Sequence, residues 1–136
     1  MGYNASYGGM VVHLTRETFE RLVAAALDEL PGLFLTRLEN VDVIIEPWAD
    51  PATLRRAGVS HPSQLMGFYQ GVPQTRRTRR YTLVLPDKIT LYQRPIEMRC
   101  ETAPDVRRKI VEVLRHEIAH HFGINDARLD QLNKRR

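Results

Sequence analysis

The stretch from Pro104 to Gly123 constrains this chain more than any other, because its apolar residues keep one helical period throughout. Val106, Ile110, Val111, Val113, Leu114, Ile118, Ala119 and Phe122 recur mostly at spacings of three and four. Pro104 suits a first helical turn and Gly123 is placed to end the helix. A helix with such a face needs a core to lie on.

The same helix carries His116-Glu117-Ile118-Ala119-His120, followed by Gly123 and Asp126, which reads HExxHxxGxxD. At ~100° per residue, His116 and His120 lie ~40° apart and one turn along the axis, so their imidazoles can converge on one ion. Glu117 sits ~100° from His116 on the side toward His120, which suits a carboxylate that acts on a water rather than on the metal. It is the candidate general base.

Two imidazoles hold an ion loosely, and a catalytic zinc site takes three protein ligands. A left-handed Gly123 lets the chain leave the helix axis and swing Asp126 toward the ion as the third. The projection puts the apolar face beside this ligand face and directs Arg108, Glu112 and Arg115 away from both. His121 points toward Leu114 and is expected to pack, while His13 and His61 have no partner pattern and read as surface residues.

Upstream, Thr15 is placed to cap a helix that runs to about Leu30, where Pro31-Gly32 ends it. Val41–Glu46 is β-branched, short and stopped by Pro47, which predicts a buried strand. Ala49 to Gln74 is dense in proline and glycine and reads as loop with a helical turn at 52–57, anchored by Leu65, Met66, Phe68 and Tyr69. Arg80–Leu85 and Lys88–Tyr92 are two strand-like runs around the turn pair Pro86-Asp87, forming a hairpin or neighbours in one sheet. A short last helix is expected from Ala127 to about Asn133. The order is that of an α+β domain spanning residues 15–136 behind a flexible leader at 1–14.

Composition narrows the function classes. With 136 residues, Lys+Arg 20 against Asp+Glu 16, and no apolar run near the ~18 residues of a membrane span, a membrane protein is excluded. The single Cys100 forms no internal disulfide, and the N-terminus lacks the basic start and apolar stretch of a signal peptide, so a cytoplasmic location is expected. Arg76, Arg77, Arg79 and Arg80 lack interleaved aromatics or a nucleic-acid motif, so they read as a solvated or substrate-facing loop rather than a nucleic-acid site.

The motif resembles that of the gluzincin and metzincin zinc peptidases, and the whole chain resembles the minimal zincin-like metallopeptidases, short bacterial proteins. The resemblance runs over about residues 15–133, through Phe19–Val23, Leu65–Pro73, Leu85–Tyr92 and the motif helix. It implies a small mixed sheet packed on an N-terminal helix and an active-site helix, with His116, His120 and Asp126 as Zn2+ ligands and Glu117 as general base. Larger metzincins carry a third histidine and a methionine turn after the motif. Here Asp126 stands at that position, and Met1, Met10, Met66 and Met98 all precede it.

The reaction class expected is hydrolysis of a peptide or protein amide. An edge strand could align the peptide by β-augmentation, with Arg80–Leu85 or Ile89–Tyr92 as candidates. Tyr69, Tyr81 and Tyr92 carry phenols able to bind an oxyanion, but tyrosines in such domains commonly pack with the hydroxyl at the surface, and none is assigned. The alternative is a non-catalytic, metal-stabilised interaction module with a basic loop. Three visible protein ligands rather than four favour the enzyme.

Overall fold

The structure, a computed structural model, describes residues 3–4, 9–72 and 85–123. Two short strands, β1 (Tyr3–Asn4) and β2 (Gly9–Met10), pair antiparallel near the start. Helix α1 (Arg16–Asp28) begins as expected at Thr15, whose side chain accepts from the Thr18 N–H at 3.1 Å. That bond satisfies one of the donors a helix start leaves open. Phe19, Val23 and Ala26 recur on one stripe and are buried.

Pro31 does end α1, but a second helix, α2 (Gly32–Arg37), follows at once. The Pro31 carbonyl accepts from Phe34 at 2.9 Å and Leu35 at 3.2 Å. A proline φ of −58° already suits a helix start, so the residue that stops one helix opens the next. Phe34, fully buried, is what α2 contributes to the core.

Strand β3 (Val41–Glu46) forms where expected, although only its Ile45 is buried, and runs parallel to β5 (Asp87–Tyr92), with β4 (Gly67–Gln70) antiparallel on the other side of β5. Helix α3 (Pro51–Ala57), capped by Asp50, and a 3-10 turn at Pro62–Gln64 lie in the connection. Because β5 is central, Ile89, Thr90, Leu91 and Tyr92 are all buried. This rules out Ile89–Tyr92 as an edge for β-augmentation. Among the described strands the outer ones are β3 and β4.

Strand β4 stands inside the segment expected to be loop. Its four residues begin with glycine, a residue that weakens any strand pattern. A Cβ on Gly67 would lie 2.6 Å from Val113 Cγ1 and 3.5 Å from Glu117 Cγ. Glycine is thus required by the close approach of β4 to the helix beneath it. Of the expected strand Arg80–Leu85 only Leu85 lies among the described residues, where it is exposed, and the expected helix from Ala127 lies wholly outside them.

Directly after β5 comes α4 (Gln93–Glu97). Its buried Glu97 accepts from the Leu14 N–H at 3.0 Å, Gln93 Nε2 at 2.9 Å and Arg94 at 2.6 Å, so the buried charge is fully partnered. Helix α5 (Ala103–His121) starts in a capping box, with Thr102 accepting from the Asp105 N–H and Asp105 accepting from the Thr102 N–H. Val106, Ile110, Leu114 and Ile118 are fully buried and share one core with α1, α2 and the sheet. The result is the expected α+β fold, a small mixed three-stranded sheet with the N-terminal and motif helices packed together. Among the described residues, no helix is long and apolar enough to cross a membrane.

Two outcomes follow from this core. Gly67→Ala should lose about 1–3 kcal/mol through forced displacement of Val113, measured by urea unfolding. Burial raises the Cys100 thiol to about 11, so native protein at pH 8 should react with a disulfide reagent far more slowly than unfolded protein does.

Candidate metal centre

The last two turns of α5 carry the motif. His116 and His120 are exposed, and Glu117 is half-buried against β4. Imidazoles at a helix C-terminus sit at its electronegative end, which favours a cation there. Glu117 Oε1 accepts from the Tyr69 N–H at 3.2 Å, so β4 holds the carboxylate that the helix presents. Burial pushes the Glu117 carboxyl above its ordinary value, opposed by the Tyr69 N–H and by His116 and His120.

Both His116 and Glu117 line a groove of about 300 Å³ between α5 and the Gln64–Gly67 segment. Glu112 lines it too, contrary to the expectation that this residue faces away from the ligand face. The reason is geometric: residue 112 is four before His116 and therefore one turn along the same stripe. Arg115 also departs from that expectation. It is half-buried, with its guanidinium carbon 5.2 Å from the centroid of the Phe34 ring.

An aromatic cluster closes the other side. The rings of Tyr69 and His121 stack with centroids 3.8 Å apart and planes at 19°. Phe122 meets both edge-on, and Arg37 lies 4.9 Å over the Phe122 ring. The Tyr69 hydroxyl donates to Asp87 Oδ2 at 2.9 Å, while Asp87 Oδ1 accepts from the Val72 N–H at 2.8 Å. Burial, reinforced by the Asp87 carboxylate, pushes the Tyr69 phenol well above its ordinary value and keeps it neutral.

His121 stacks on Tyr69 rather than pointing toward Leu114, and it stays exposed. The Tyr69 hydroxyl is committed to Asp87, Tyr92 is buried, and Tyr81 lies outside the described residues. His61 is exposed and caps the 3-10 turn, and His13 is exposed beside Arg94 at 3.3 Å.

Gly123 has φ 71°, the left-handed conformation expected of the residue that releases the chain from the helix. Asp126, the expected third ligand, lies outside the described residues. Among the described residues, no group of three or more His, Cys, Asp and Glu side chains is arranged to hold a metal. His116 and His120, exposed one turn apart, remain a donor pair of the kind zinc accepts. Reasoning from sequence had passed over Asp87 and Glu112 as site residues. The helical period could have found Glu112, whereas nothing local marks Asp87 as the acceptor for Tyr69.

A search of curated proteins finds no match to the chain. A profile of the zincin-like metallopeptidase family matches residues 38–135, most of the chain, from the approach to β3 to beyond the motif helix.

Asp87→Ala removes both the acceptor and the negative charge beside Tyr69. The Tyr69 phenol should then ionise at lower pH, seen by absorbance near 295 nm against a Tyr69→Phe control. The variant should also lose about 1–3 kcal/mol of stability as the Val72 N–H and the phenol lose their shared acceptor.

Proposed function

Because the chain belongs to the zincin-like metallopeptidase family, we propose that it is a zinc-dependent peptidase in which His116, His120 and Asp126 hold the ion and Glu117 is the general base. The observation that carries this reading is the groove that Glu117 and His116 share at the edge of the sheet. The donor set fits zinc, with two imidazoles and a carboxylate as ligands and a further coordination position left open. Zinc bound there supplies Lewis acidity toward a carbonyl and lowers the pKa of a coordinated water toward ~7.

Glu117 takes the proton from the attacking water and returns it to the leaving amine. Its attachment to the Tyr69 N–H fixes the carboxylate, so the base is positioned before substrate arrives. The Tyr69 and Asp87 pair orders the turn after β4 and braces His121, next in sequence to a proposed ligand. Strand β4, beside the groove and outermost among the described strands on that side, is the edge along which an extended peptide is laid. The lone, buried Cys100 suits a reducing, cytoplasmic setting.

Purified full-length protein should bind about one zinc per chain. His116→Ala and Asp126→Ala should each weaken that binding by more than the ~10–100-fold typical of outer-shell changes. Affinity should fall on acidification, because a protonated imidazole cannot ligate. Glu117→Gln should keep the metal while peptide hydrolysis falls ~10²–10⁴-fold. Zinc-loaded wild type that cleaves no member of a diverse peptide library would overturn the enzyme reading, and unchanged function in Glu117→Gln would favour the interaction module.

A further inference from the structure

We propose that the groove beside Glu117 receives the substrate side chain next to the scissile bond, and that Glu112 makes it select lysine or arginine. This deepens the peptidase reading and rests on it. One wall is α5, through Glu112, Val113, His116 and Glu117, and the other is Gln64, Leu65, Met66 and Gly67. Leu65, Met66 and Val113 give the groove an apolar lining. Among the described residues no lysine or arginine lines it, and the two carboxylates that do come from α5.

Glu112 stands about one helical turn from His116, ~6 Å along the axis. A side chain entering at the level of Glu117 and His116 must therefore span that length before it meets the second carboxylate. Lysine and arginine have this form, an apolar stem of three or four methylenes and a cationic end. A leucine covers only the apolar part, and an acidic side chain meets like charge.

Lys109 does not line the groove, but it holds Glu112 Oε2 at 3.2 Å. The Glu112 side chain is 67% exposed and that of Lys109 24%, and a pair three residues apart on a helix with its carboxylate in solvent is weak. A carboxylate also has several acceptor positions. Glu112 can therefore serve a substrate cation without first releasing Lys109.

The test uses full-length protein with zinc and three blocked peptides, Ala-Ala-X-Ala-Ala, in which X is lysine, norleucine or glutamate. Norleucine keeps an apolar stem of similar length and lacks the charge. Binding is read from the NMR methyl signals of Met66 and Val113. The lysine peptide should bind about fivefold tighter than the norleucine peptide, the upper range for a partly exposed ion pair, and the glutamate peptide should bind least.

Glu112→Gln should erase the difference between lysine and norleucine, and Glu112→Lys should bring the glutamate peptide to first rank. Equal affinity of wild type for all three, a lysine preference that survives Glu112→Gln, or unmoved Met66 and Val113 signals would each overturn the proposal. Cleavage of the same peptides separates the two readings. Equal kcat/KM for all three overturns the role of Glu112 and upholds the peptidase. Selective binding without cleavage overturns the peptidase and leaves a cation-selective groove.

Discussion

The contact of Gly67 with α5 is the constraint on which the site depends. Protein interiors are packed closely enough that one methyl group decides whether two backbones meet, and here a Cβ would fall 2.6 Å from Val113 Cγ1. Without that Cβ, β4 settles onto the helix and Tyr69 brings its N–H to the Glu117 carboxylate at 3.2 Å. The groove lies beside this contact, between the helix and the Gln64–Gly67 segment. A carboxylate held by a backbone donor and a pocket beside it are therefore two consequences of a single close approach.

The helix can act as a fixed platform because its whole length is tied down. Thr102 and Asp105 satisfy its first donors, and Val106, Ile110, Leu114 and Ile118 are buried along one side. Arg107 pairs with Glu29 just beyond α1, and Arg115 lies over the Phe34 ring from α2. At its far end Tyr69, His121, Phe122 and Arg37 form a stack that Asp87 anchors through the Tyr69 hydroxyl. His116, Glu117 and His120 thus project from a rigid element, as pre-organised chemistry requires.

Legibility in the sequence followed the strength of local signals. Helices α1 and α5 were readable because each repeats its apolar residues at the helical period, and strand β3 because it is β-branched, short and stopped by Pro47. Helix α3 was read as a turn of the right extent. Strand β4 was hidden because Gly67 weakens the pattern, and that glycine is there for a contact with Val113, distant in sequence. Helix α2 was hidden because a proline read as a stop also opens a helix. Within the site, the histidine pair and Glu117 stood out by spacing alone. Glu112 belonged to the same stripe, but only the facing segment Gln64–Gly67 turns that stripe into a groove wall.

The sequence alone determined the placement of His116, Glu117 and His120 on one helix, and the glycine that ends that helix. These follow from covalent order and from the fixed rotation of an α-helix, which need no other part of the molecule. Only the tertiary structure decided that among the described strands β5 is central and β4 outermost beside the site, that Tyr69 holds Glu117 and is itself held by Asp87, and that Glu112 lines the pocket. Those relations join residues up to 48 positions apart. They depend on which surfaces exclude water together, and no local period in the chain encodes that choice.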